Sequence, residues 1–85
     1  MRGMARHIRA KRLTTGPAHK RVDYNYAAEI VENHVNKQID EGERRFFYPT
    51  IAAETGVDEK RVTDMLFHIA CGHTGFTIKD DEDPQ

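Results

Sequence analysis

YPTIAAETGVDEKRVTDMLF, residues 48–67, holds two apolar patterns on either side of a glycine. Ile51, Ala52 and Ala53 form a short apolar run, Gly56 breaks it, and Val57 follows. Asp58 is placed to cap a new helix, its carboxylate accepting from free amides of the first turn. Val62, Met65, Leu66 and Ile69 then recur at helical spacing. The pattern predicts a helix at 50–55, a tight turn and a second helix at 59–71. Gly56 stands where the turn requires a left-handed backbone, which a Cβ disfavours. Ala52 is small where the two helices cross, and Val62 faces back into the angle between them, beside Ile51 and Val57.

At Ile51, Ala52, Gly56, Val57, Val62 and Met65 the chain resembles the helix-turn-helix family of DNA-binding proteins. Thr55 departs from the family, which more often carries an apolar residue before the turn glycine. The resemblance covers about a quarter of the chain. It implies that the outer face of Asp58–His68 enters the major groove of duplex DNA. Lys60 and Arg61 would reach phosphates or guanine edges, Thr63 either, and Asp64 could accept from cytosine. Arg44 and Arg45 would add to the same face. Asp58, Glu59 and Asp64 oppose this, because carboxylates near phosphates repel.

Outside that stretch, charge is distributed unevenly. Residues 1–22 carry seven cations and no acid, from Arg2 to Arg21, whereas the remaining residues set six cations against fourteen acids. A net charge of −1 is therefore a basic arm joined to an acidic body. The arm is poor in apolar residues and is broken at Gly16-Pro17, so it is expected to be disordered by itself. Arg6, Arg9, Lys11, Arg12, Lys20 and Arg21 are its candidate phosphate contacts, following the duplex backbone or entering the minor groove.

An ordered first helix is expected over 24–41, capped by Asp23 or Asn25 and stopped by Gly42. Its apolar stripe is Ala27, Val31, His34 or Val35, and Ile39, widened by Ile30. Glu29, Glu32, Asn33, Asn36, Lys37 and Asp40 fall mostly on the opposite face. Phe46-Phe47-Tyr48 reads as a strand ended by Pro49, and the cluster is mostly core. Gly75–Lys79 reads as a second strand, with Phe76 and Ile78 on one face. One strand after the second motif helix makes at most a truncated wing, and the two strands are free to pair with each other.

The expected fold is mostly α: a three-helix helix-turn-helix domain with a minimal two-strand element, a truncated winged helix with flexible ends. Residues 1–22 are the arm, 23–79 the domain and 80–85 an acidic tail. The expected function is DNA binding, as a transcription regulator, with a homodimer possible at this size. The competing reading is a protein-interaction or RNA-binding module on the same fold, using the acidic helix and the Phe46–Tyr48 aromatics. His68, Cys71 and His73 suit zinc by type, but a structural site takes four ligands, and neither a metal nor a cofactor is expected. No catalytic constellation is recognisable, so no enzyme is expected. No apolar run approaches the roughly 20 residues of a membrane span. No signal-peptide core follows Met1, and a single cysteine fits a reducing compartment, so the expected location is cytoplasmic.

Overall fold

A computed structural model of the chain describes residues 7–70 and 77–80. It is mostly helical, with an extended strap at 7–13, α1 (Ala18–Asp40), β1 (Arg45–Phe47), α2 (Tyr48–Thr55), α3 (Glu59–Ala70) and β2 (Thr77–Lys79). Gly72, Gly75, Phe76 and the tail from 81 lie outside the described residues.

Helix α1 starts earlier than its capping residues suggest. Gly16 takes φ +98°, Pro17 follows at φ −57°, and the Pro17 carbonyl accepts from the amides of Lys20 and Arg21. A proline fixes the φ that a helix needs and lacks the amide that a first turn leaves unpaired. Gly16-Pro17 thus launches the helix directly. Asp23 and Asn25, expected as caps, lie inside it and are used elsewhere. The boundary at 22/23 is corrected accordingly: residues 18–22 are the first turns of α1.

The far end of α1 follows from Gly42. Its φ is +99°; its amide donates to the Ile39 carbonyl, and the Glu43 amide donates to the Gln38 carbonyl. These two bonds close the last turn as a Schellman motif, in which glycine avoids the penalty of a left-handed backbone. The buried face of α1 is Tyr24, Ala27, Ala28, Val31, Val35 and Ile39. His34 sits at the edge of this face and bonds Glu54 of α2 at 2.8 Å.

The α2–α3 connection forms as its residues predict. Gly56 takes φ +79° and its amide donates to the Ala52 carbonyl. Thr55 has a local role: its hydroxyl donates to the Ile51 carbonyl at 2.7 Å and accepts from the Val57 amide at 3.2 Å. Asp58 caps α3 by accepting from the Lys60 amide at 3.1 Å. Val62, Met65, Leu66 and Ile69 are buried, and Ile51 and Val57 lie in the same core. Ala52 is partly buried against it.

Strands β1 and β2 pair in parallel, Phe46 opposite Ile78, with the Thr77 amide donating to the Arg44 carbonyl. A parallel pair requires a long crossover, and here α2 and α3 together supply it. Phe46 and Ile78 turn inward, while Arg45, Thr77 and Lys79 are exposed. Tyr48 is buried but belongs to α2, with Pro49 tolerated in the first turn.

Residues 7–13 are not a solvated arm. Ile8 and Ala10 are buried, the latter 2% exposed, and Leu13 packs against the core. The amide of Ile8 donates to Asn36 and its carbonyl accepts from the same side chain. Asn25 treats Leu13 in the same way, and the Ala10 amide donates to Glu32. On the other side the Lys11 amide donates to the Met65 carbonyl of α3. The strap therefore bridges α1 and α3, running antiparallel to α1. Arg6 and the residues before it lie outside the described residues.

Val62 has no exposed surface and fills the angle between α2 and α3. Val62→Ala is expected to cost about 1–3 kcal/mol by lost burial and a residual cavity. Chemical denaturation of the two proteins measures it, and equal midpoints would refute the packing.

Candidate nucleic-acid interface

The outer face of α3 is built from residues out of phase with its buried stripe. Lys60, Thr63, Asp64 and Phe67 recur at three- and four-residue spacing and share that face with His68. They line an open groove of about 1020 Å³, to which the strap contributes Lys11. The Thr63 hydroxyl donates to the Glu59 carbonyl at 2.9 Å. It retains lone pairs to accept with.

The strap is held along this face at two points besides its amide bond to Met65. Lys11 reaches Asp64 at 3.4 Å, and the His68 Nε2 donates to the Arg9 carbonyl at 3.0 Å. Lys11, predicted as part of a loose arm, is thereby placed in the groove with Thr63 and Lys60, and the Arg9 backbone lies against His68. Cys71 and His73, the other members of the HxxCxH group, lie outside the described residues. Among the described residues, no three His, Cys, Asp or Glu side chains are grouped to hold a metal ion.

Asp64 is tied into the protein. Tyr24 of α1 donates its hydroxyl to the Asp64 carboxylate, and Lys11 binds the same oxygen. The Tyr24 hydrogen bond holds the Asp64 carboxyl below its usual range; partial desolvation opposes this and the Lys11 ammonium assists it. Burial and the neighbouring carboxylate push the Tyr24 phenol upward, so it remains a donor. Asp58 is likewise committed, to the cap of α3. Of the three acids expected to oppose phosphate, Glu59 has no side-chain bond among the described residues.

The other predicted site residues are dispersed. Arg61 turns to Asp23 of α1 at 2.8 Å. Arg12 pairs with Glu32 at 3.3 Å and donates to the Ala10 carbonyl. Arg21 donates to the Gly16 carbonyl. Arg44 donates to the carbonyls of Ile39 and Glu43 at the C-terminal end of α1, and Arg45 lies over the Phe47 ring, 5.9 Å from its centroid. Lys20 is exposed at the opposite end of α1. At 1.5 Å per residue the span from Lys20 to Ile39 is roughly 28 Å, so the predicted cations do not form a single patch. The predicted residues brought together are Lys60, Thr63, Asp64 and Lys11.

Phe67 was not among the expected site residues, yet it is 60% exposed in the middle of this face. Helical phase identifies it: five residues after Val62 is about 140° around the helix, on the side away from the core. Asn25, Glu32 and Asn36, which hold the strap, leave no such signal. No protein family, no curated protein and no solved structure matches this chain.

Tyr24→Phe removes the hydroxyl and leaves the ring in place. It is expected to lower stability by about 0.5–1.5 kcal/mol at neutral pH and to raise the Asp64 pKa. A carboxyl depressed in the folded state contributes stability above its unfolded pKa and loses it as pH falls through the folded one. The gap between wild type and variant should therefore narrow below about pH 4. Urea unfolding across pH measures it, and a gap independent of pH would refute the role assigned to Asp64.

Proposed function

We propose that α2, the Gly56 turn and α3 act as a helix-turn-helix unit, and that the chain is a small DNA-binding protein. The supporting observation is the open outer face of α3, bordered by a strap that brings Lys11 to it, with Asp64 paired to Lys11 and Tyr24 and Asp58 accepting at the helix cap. In this reading α3 lies in the major groove. Lys60 and Thr63 meet base edges, while Lys11 and Arg9 of the strap meet phosphates. Phe67 is suited to an apolar contact with the methyl group of thymine. A domain of this size that reads sequence fits transcription regulation.

Binding to random duplex should weaken with salt, with log K falling against log[salt] by about 0.9 per phosphate contact. Arg9→Gln should reduce that slope by about one contact, on all sequences alike. Deleting residues 1–22 would be a poor test, because it removes Ile8, Ala10 and the start of α1 from the fold. Fluorescence anisotropy at about 50 mM salt, where phosphate contacts are strongest, gives the decisive result. No binding there would end the DNA reading and leave the protein-interaction reading.

Phe67 has a separate test. Replacing thymine by deoxyuridine throughout a bound duplex removes the methyl groups and nothing else. Wild type should lose affinity several-fold, about 1 kcal/mol for a buried methyl, and Phe67→Ala should lose little more on the substituted duplex than on the original. Equal wild-type binding to both duplexes would remove Phe67 from the contact and leave the DNA reading intact.

A further inference from the structure

The exposed side of α1 carries two large apolar side chains, Val22 and Tyr26, 67% and 66% exposed. They flank a shallow apolar depression that also touches Ala18, His19 and Asp23. Val22 and Tyr26 are one helical turn apart, so they project together.

The residues around them are arranged as a palindrome. Val22 and Tyr26 are centred on position 24. So are His19 and Glu29, and so are Ala18 and Ile30. His19 and Glu29 are exposed on the same side of the helix, and Ile30 is half-buried at its edge. From the centre outward the face reads apolar with apolar, then a nitrogen donor with a carboxylate. A surface of this pattern is complementary to its own copy turned end for end.

We propose that this face of α1 is an isologous interface with a second copy of the chain, the two α1 helices packing antiparallel about position 24. Val22 of each copy then packs on Tyr26 of the other. His19 of each meets Glu29 of the other, donating a hydrogen bond when neutral and forming an ion pair when protonated. Charge selects the antiparallel orientation, because a parallel pair would face Glu29 with Glu29 and His19 with His19. A two-fold axis also requires self-complementarity of this kind, residue i meeting j and j meeting i. The contact involves about three turns of one helix, below the roughly 1,000 Å² typical of stable interfaces. It is therefore a reversible, concentration-dependent dimer. The interface is independent of the DNA reading.

The test is sedimentation equilibrium of the full chain from about 10 μM to about 1 mM, a range that brackets weak association. A monomer–dimer equilibrium is expected. Val22→Glu should weaken it at least tenfold, and this exposed substitution should leave the circular dichroism spectrum unchanged. His19→Glu alone and Glu29→Lys alone should each weaken the dimer several-fold, the first by setting carboxylate against carboxylate and the second by removing the carboxylate that accepts from His19. The double variant His19→Glu/Glu29→Lys should recover most of the affinity, because it reverses the pair and keeps the palindrome. A chain that stays monomeric at every concentration overturns the proposal and leaves the face to another occupant. So does a dimer indifferent to Val22→Glu, or a double variant no better than the single ones.

Discussion

An extended segment with no neighbouring strand must still find partners for its amides and carbonyls, because a buried peptide group left unpaired costs about as much as a lost hydrogen bond. Residues 7–13 meet that demand with side chains of α1, the Met65 carbonyl and His68 side chain of α3, and their own Arg12. Asn25 and Asn36 each hold one strap residue by both its amide and its carbonyl, and Glu32 takes the amide between them. With the backbone paired, Ile8 and Ala10 can bury without penalty and close one side of the core. The polar side of α1 is therefore a second packing surface, one that binds backbone rather than side chains.

The same attachment redistributes charge. Arg12 and Lys11 are drawn to Glu32 and Asp64, so part of the basic segment is balanced within the protein. In exchange, Lys11 offsets the charge of Asp64. Asp58 stays ionised at the cap and Glu59 is unpaired among the described residues, so the groove keeps acids beside its cations. What an approaching ligand meets is Lys60 and whatever Lys11 can release, next to Asp58 and Glu59.

Local rules made much of the fold legible. Gly42 and Gly56 stop helices for backbone reasons that act within a few residues, and the period of Val62, Met65, Leu66 and Ile69 marks its own buried face. The pairing of the two strands was also within reach, since both are short and end at the same core. The strap was not. Ile8 and Ala10 are too brief an apolar alternation to stand out among cations, and their partners lie 22 to 28 residues away. Asn25 and Asn36 resemble ordinary cap or surface residues until the segment opposite them is known. The start of α1 is hidden because Gly16-Pro17 reads as a breaker, whereas the same ring one residue before a helix is an initiator. At the candidate site, Lys60 and Thr63 followed from helix phase. The dispersal of Arg12, Arg21 and Arg44 depends on contacts that no local pattern encodes.

The parallel register of β1 and β2 sets an order of events. Residues 45–47 and 77–79 are separated by all of α2 and α3. Loop-closure entropy penalises such a pairing until the intervening helices have folded back and brought the strands together. The α2–α3 unit, built from near neighbours, carries no such penalty. Contacts made last in folding govern how fast a protein opens rather than how fast it forms. Weakening the short sheet is thus expected to speed unfolding more than it slows folding.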